Sequence, residues 1–509
     1  MASSLRENPI SIILLTTPLV QLMIFTFGVY STDNAMLFVV PMIFVTFAAL
    51  LGIYLVIKKR DEKIGWEKIF LYIVIVCAIC VICLNPPMMA PDEVNHFYRA
   101  YALSEGKIWA ESADGVLGNY LPENLNPDVG VWGQTTVNMK IFRDMFFDVL
   151  SQDEAFFYQG NTLVYFPTSY MPQAVGIFLA RIINMSIYWR VFFCRLANCI
   201  FYTLLCYFAI KIIKPAYKCI MVLCALLPIS FYEGCSLSTD AIIISTSFLF
   251  TALALRDAPY INNKKLDIIM YVSGFVIVLG KFTYLPLMFI LWMGNLHDKK
   301  KVKSNLIYDA SLIAVIIIWN VFIMLTVSNI GIHDTGIAPV DQIKFILGNL
   351  FDYVFIVVAN IIKKLPIYYV HLFCLGWLDH IMYALVFTFP VVILFFCFVK
   401  TEDSDVFTEK RKGRLFYVFM VILATVVLVH TALYITWTPV GSADILGVQG
   451  RYLVPAIPVL MLFLKELFPK LQISFKTGHE RKTALMAAIG PLYMVIYLGI
   501  TYWIKYINM

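Results

Sequence analysis

The sequence predicts an all-α polytopic membrane protein of about 13 transmembrane helices, with one large outer loop after the third span. Three observations carry this expectation. Of 509 residues, 61% are hydrophobic and only 14% are charged, whereas a soluble domain is about 45–50% apolar and about 25% charged. Apolar runs recur from end to end, most of them near the roughly 20 residues that a crossing helix needs. Lys and Arg gather in alternate loops, as the positive-inside rule requires. The same composition excludes an ordinary soluble enzyme, a disordered chain and a small disulfide scaffold.

In chain order the runs lie near 10–30, 36–57 and 69–84, then 191–210, 217–232, 240–255, 266–280, 283–296 and 306–327, then 381–399, 415–437, 452–468 and 484–504. MASSLRENPI precedes the first run without the short apolar core and small-residue cleavage site of a secretory signal, so a retained first span is expected. With 13 crossings and a cytoplasmic N-terminus, the inner loops hold 26 of the 39 Lys and Arg residues. The net charge of +6 therefore reflects the cytoplasmic side and not a nucleic-acid partner. A further crossing at 169–187 would invert every later loop and place HDKKKVK and EKRKGR outside. That segment is expected on the outer surface or as a re-entrant piece. Segment 343–362, with Lys344, Asp352, Lys363 and Lys364 nearby, reads as an amphipathic helix at the outer interface.

The chain divides accordingly into N-terminal spans (1–84), an outer segment with interfacial helices (85–190), a central bundle (191–327), a second outer loop (328–380) and a C-terminal bundle (381–509). The first outer loop, about residues 85–170, carries 11 acids against 4 bases. The inner loops are short and basic, without a P-loop or a clear GxGxxG. Chemistry is thus expected on the outer face, without direct use of ATP. The 11 Cys sit mostly inside apolar runs and show no metal-ligand spacing, so CAIC at 77–80 reads as small apolar residues.

The most informative stretch is NPPMMAPDEVNHFYRAYALSEG, 85–106, directly after a span. A helix over 91–103 would put Asp92, His96, Arg99 and Leu103 on one face, with Glu93 about 100° away. Asp92 then takes a proton from a substrate hydroxyl, oriented by His96 or Arg99, or it simply opens a helix with a solvated charged face. Charges beside the hydrocarbon boundary are costly unless used. Further polar residues accumulate at the same boundary: Glu233 and Asp240 around EGCSLSTD, Lys281 in GKFTY, Asp379 and His380 in GWLDH, and Gln449 and Arg451 in GVQGR. Lys281 and Arg451 either snorkel to lipid headgroups or clamp a phosphate. His371, His380 and His430 share no metal-ligand spacing.

Seven pieces in order, PDEVNHFYRAYALSEG (91–106), YFPTSYMPQAVGI (165–177), RLAN (195–198), LPISFYEGCSLSTDA (227–241), GKFTYLPL (280–287), LGWLD (375–379) and GVQGRYLVP (447–455), resemble the bacterial membrane proteins grouped as domain of unknown function 2142, within the GT-C glycosyltransferases. The resemblance implies a GT-C-like fold and a catalytic acid in the first large outer loop. It implies sugar transfer from a polyprenyl-phosphate donor to a cell-envelope glycan or lipid acceptor, at the outer face of a bacterial cytoplasmic membrane. Carried over by position, Asp92 is the base and Glu93 its backup. Topology and charge add Lys281 and Arg451 as phosphate ligands, with His96, Arg99, Asp240, Asp379 and Gln449 lining the substrate.

The expected mechanism is inverting displacement at C1, helped by preplaced cations as charge grows on the leaving phosphate. No cofactor is required, although two acids near a phosphate leave room for a divalent metal. The partners expected are the lipid-linked donor, the acceptor and membrane lipids, with no nucleic acid. The competing class is a transporter or flippase of lipid-linked sugars, which needs a polar path through the membrane. Mid-span charges are sparse, and neither an internal repeat nor paired broken helices stand out.

Overall fold

The computed structural model describes residues 9–60, 64–113, 116–125, 139–159, 162–261, 263–294, 299–327, 337–400, 411–468, 473–474 and 485–504. The predicted inner-loop stretches at 61–63, 401–410 and 475–484 lie outside the described residues, as does 328–336 of the second outer loop.

Long apolar segments with few breakers give long helices. The chain opens with α1 (Pro9–Ser31), α2 (Met36–Arg60) and α3 (Trp66–Leu84), which pack on one another. Asn85, Pro86 and Pro87 end α3, because consecutive prolines offer no N–H to the ladder and push their predecessors out of helical conformation. The first outer segment follows, with α4 (Glu93–Ser104), α5 (Met139–Phe147) and α6 (Met171–Ile182). It also contains a feature that an all-α expectation omits. Strands β1 (Glu111–Ala113), β2 (Val116–Pro122) and β3 (Glu154–Tyr158) form an antiparallel sheet in the order β1-β2-β3. β1 and β2 are separated in sequence only by Asp114-Gly115, a local hairpin signal, whereas β3 lies more than 30 positions from β2, so local pattern gave little signal for that pairing.

Helix α7 (Ile187–Ile212) is the central column, against which α3, α6 and α10 (Asp240–Ala254) pack. At Gly176 of α6 a Cβ would lie 2.2 Å from the carbonyl oxygen of Phe193 on α7, so only glycine permits this approach. Close backbone contact through small residues is the usual means of helix association in lipid, where apolar burial gives no drive.

The predicted span 217–232 is broken into α8 (Lys218–Ala225) and α9 (Pro228–Gly234), bent by 68°. Pro228 at the first turn of α9 supplies the break. Next come α11 (Lys264–Gly280), started by the Asn263 side chain accepting from the Lys265 and Leu266 amides, and a mostly 3-10 segment over 282–294. Helix α12 (Lys299–Val327) leads to α13 (Pro339–Gly348) and α14 (Leu350–His371), bent by 108°. The short hairpin β4 (Cys374–Leu375) and β5 (His380–Ile381) precedes α15 (Tyr383–Phe398) and α16 (Arg411–Thr436). A 3-10 turn over Gly450–Ala456 enters α17 (Ile457–Leu467), and α18 (Ile489–Leu498) runs on into a π-helical turn over Gly499–Ile504.

Among the described residues six helices are long and apolar enough to cross a membrane, namely α1, α2, α3, α7, α12 and α16, or eight spans if each bent pair counts as one. Other predicted runs become shorter apolar helices, α10 and α15 among them. Proline explains the shortening at 217–232, 283–296 and 452–468, where Pro228, Pro286, Pro455 and Pro458 interrupt otherwise apolar sequence. Segment 169–187 forms the twelve-residue α6, about 18 Å long, too short for a hydrocarbon core of about 30 Å. In α14 the apolar Phe351, Phe355 and Ile362 are exposed while Asn360 and Tyr368 are buried, so the helix has two faces.

Candidate active site

Residues 85–92 climb out of α3 in an irregular turn that ends at Asp92, a left-handed residue with φ 60° and ψ 11°. Asp tolerates this conformation better than most residues. The Asp92 carbonyl accepts the His96 amide at 3.1 Å, so α4 starts at Glu93 and not at Pro91. The expectation of Asp92, His96 and Arg99 on one helical face is corrected accordingly. The left-handed residue turns two adjacent acids in opposite directions. Asp92 is about half exposed, and Glu93 is fully buried.

Glu93 meets Arg195 of α7 in a bidentate pair, Nε–Oε1 at 2.8 Å and Nη2–Oε2 at 2.7 Å. It also accepts the amides of Ala90 at 3.3 Å and Leu237 at 3.1 Å. Both Glu93 oxygens are thus taken up by the Arg195 guanidinium and two backbone amides.

Asp92 faces Arg451, which enters from the Gly450–Ala456 turn. Arg451 Nη2 donates to Asp92 Oδ2 at 2.8 Å, Nη1 to Glu233 Oε1 at 3.3 Å and Nε to Gln449 Oε1 at 2.6 Å. Its Nε also lies 3.7 Å from Asp240 Oδ2. Lys281, held where α11 ends, donates to Asp240 Oδ1. Its ammonium lies 4.5 Å from the centre of the Tyr452 ring and 5.8 Å from that of Tyr165. Burial alone would weaken both cations. The Tyr452 ring and the Glu233, Asp240 and Asp92 carboxylates outweigh it for Arg451, as Asp240 and Tyr165 do for Lys281, so both stay firmly protonated.

Five of the predicted residues, Asp92, Asp240, Lys281, Gln449 and Arg451, therefore converge, with Glu233 as a sixth member. His96 stands beside them. Its Nδ1 is 2.8 Å from the Tyr170 hydroxyl, and burial pushes its imidazole down to about 4 against the pull of Asp92 and Asp240. His96 is thus neutral at pH 7. Arg99 is buried and donates to the Ile108 carbonyl at 2.9 Å, tying α4 to the segment that leads into β1 instead of reaching the cluster. Asp379 sits in the β4–β5 turn, 3.8 Å from His380, and among the described residues it does not join the cluster.

A cavity of about 180 Å³ opens beside Lys281. Tyr165, Tyr284 and Tyr452 line it, the Tyr284 hydroxyl donating to the Tyr452 carbonyl at 2.9 Å, and Val278, Leu279, Val429 and Leu433 supply apolar wall. Trp319 of α12, donating its indole N–H to Val164 O at 2.9 Å, completes the lining. Among the described residues no group of three or more His, Cys, Asp and Glu side chains is arranged to hold a metal ion.

Sequence reasoning did not assign Arg195, Tyr165, Tyr170 or Tyr452. For Arg195 a signal existed: a lone charge inside an apolar run demands a buried partner. For the tyrosines, in a chain with 29 of them, no signal separates three from the rest.

A family model described as "Predicted membrane protein (DUF2142)" matches residues 73–460, well over half of the chain and all of the clustered residues. No curated protein and no solved structure matches.

Proposed function

The chain belongs to the DUF2142 family of predicted membrane proteins, and from that premise we propose that it is a membrane glycosyltransferase. It moves a sugar from a polyprenyl-phosphate donor to an acceptor hydroxyl of a cell-envelope glycan or glycolipid. The reading extends to a GT-C-like arrangement in which the shorter apolar helices also enter the bilayer, bringing the crossings toward 13. It puts the cluster on the outer face of a bacterial cytoplasmic membrane, opposite the basic loops.

The observation that carries the reading is the cavity beside Lys281, where one cation and three tyrosines share a small space with aliphatic wall. A lipid phosphate needs that combination: donors for the headgroup and apolar contact for the first isoprene units. The cluster holds two cations and three acids, so a phosphate must compete for the cations. Asp92 is the acid most easily displaced, because it is half exposed while Glu233 and Asp240 are buried, and an exposed ion pair is held weakly. The phosphate takes the forked guanidinium of Arg451 and releases Asp92.

Freed, Asp92 accepts the acceptor hydroxyl's proton as that oxygen bonds to C1. The bond from C1 to the phosphate oxygen breaks, and its electron pair leaves on the phosphate beside Lys281 and Arg451. Direct displacement inverts C1. The step needs no metal or cofactor.

The test is incubation of detergent-solubilised protein with synthetic polyprenyl-phosphate sugars and hydroxyl acceptors. Release of polyprenyl phosphate with a new inverted glycoside supports the reading. Sugar-lipid translocation in sealed vesicles without donor consumption replaces it with the transporter.

A further inference from the structure

The buried Arg195–Glu93 pair lies outside the cluster, yet it governs the turn on which Asp92 stands. Arg195 uses all five N–H donors that a guanidinium possesses. Two go to Glu93. The others go to the carbonyls of Ile82 at 3.2 Å, Asn85, and Pro86 at 2.9 Å, the last turn of α3 and the first residues beyond it. Glu93 in turn accepts the Ala90 amide within the same turn and the Leu237 amide from the segment leading into Asp240. One side-chain pair thus ties three pieces of backbone, and two of them carry Asp92 and Asp240.

We propose that Arg195 and Glu93 are positioning residues, a clamp that fixes the left-handed Asp92 so that its carboxylate faces Arg451 and not the interior. This rests on reading Asp92 as the base. A plain structural pair would satisfy two buried charges and no more. Here the guanidinium fork spans the exit of α3, and the carboxylate spans the entry of α4 and the Asp240 segment. Lysine, with three donors on a single nitrogen, cannot make this pattern. Catalytic geometry tolerates little slack, and a displacement near 1 Å costs about 100-fold.

The test compares wild type with Arg195→Lys and with the charge-free double variant Arg195→Met/Glu93→Leu. The double variant leaves no orphaned charge and keeps folding accessible. Donor affinity and turnover are measured separately with a polyprenyl-phosphate sugar. The clamp predicts affinity within roughly threefold of wild type, since Lys281 and Arg451 are intact, and turnover lower by about 100-fold in both variants. Turnover within roughly threefold of wild type overturns it, as does an equal fall of affinity and turnover. If wild type itself consumes no lipid-linked sugar, the glycosyltransferase reading fails and the clamp is judged by hydrogen exchange. Exchange at Ala90 and Leu237 that quickens about tenfold in the double variant, with α7 unchanged, supports it. Unchanged exchange there overturns it.

Discussion

Asp92 and Arg451, 359 positions apart, meet at 2.8 Å where the exit of α3 and the entry to α17 come together. Arg451 is buried and Asp92 is half exposed, so the pair has one fixed and one releasable member. That asymmetry organises the expected behaviour of the site.

Asp92→Asn keeps the side-chain shape and removes the basic carboxylate. Turnover of a lipid-linked sugar should fall by about 100- to 10,000-fold, the usual worth of a general base. Donor affinity should hold or rise, because Arg451 is freed. Direct binding of polyprenyl phosphate, measured beside turnover, checks both; a marked loss of affinity would contradict the release of Asp92 by phosphate.

Arg451→Lys preserves charge opposite Glu233 and Asp240 but loses the fork. Donor affinity should drop about tenfold, equivalent to about 1.4 kcal/mol, with the fold retained. Lys281→Gln should lower it similarly. Equilibrium binding of a labelled polyprenyl phosphate reads both, and unchanged affinity in the pair would remove the cations from the phosphate site.

Ala432→Trp places a large ring in the lining of the cavity beside Lys281. Affinity for a long-chain polyprenyl phosphate should fall more than affinity for inorganic phosphate. Equal effects on the two ligands would mean that the cavity does not receive the lipid.

Burial holds His96 at about 4, against about 6.5 in an unfolded chain. Between these values the unfolded state binds a proton that the folded state does not. Stability is therefore full above about pH 6.5 and declines as pH falls toward 4, by about 3 kcal/mol. Thermal unfolding of His96→Gln in detergent should show a flatter dependence across that window than wild type.

Gly450→Ala would put a Cβ 2.1 Å from the Tyr368 carbonyl oxygen. The turn must shift, at a cost of about 1–3 kcal/mol, and it would carry Arg451 with it and loosen the hydrogen bond that the Gly450 N–H donates to His371 Nδ1. A lowered melting temperature together with weaker donor binding is the expected result.

Hydrophobic run length and the sidedness of Lys and Arg were enough to read a helical membrane protein from the sequence, because a lipid solvent leaves the backbone few alternatives. Charge beside a span end pointed to Asp92, Asp240, Lys281 and Arg451, since such residues are expensive there, but it pointed equally to Arg99 and Asp379, which lie apart from the cluster. Local sequence could not separate Asp92 from Glu93. They are neighbouring carboxylates in PDE, and what draws Glu93 and not Asp92 inward is its contacts with Arg195 and Leu237, more than 100 positions away. Pro228 marked the helix break locally, but the same holds for the β2–β3 pairing and the tyrosines around Lys281. Each depends on which distant segments pack together, and packing partners are set by the closed tertiary structure and not by any window of the chain.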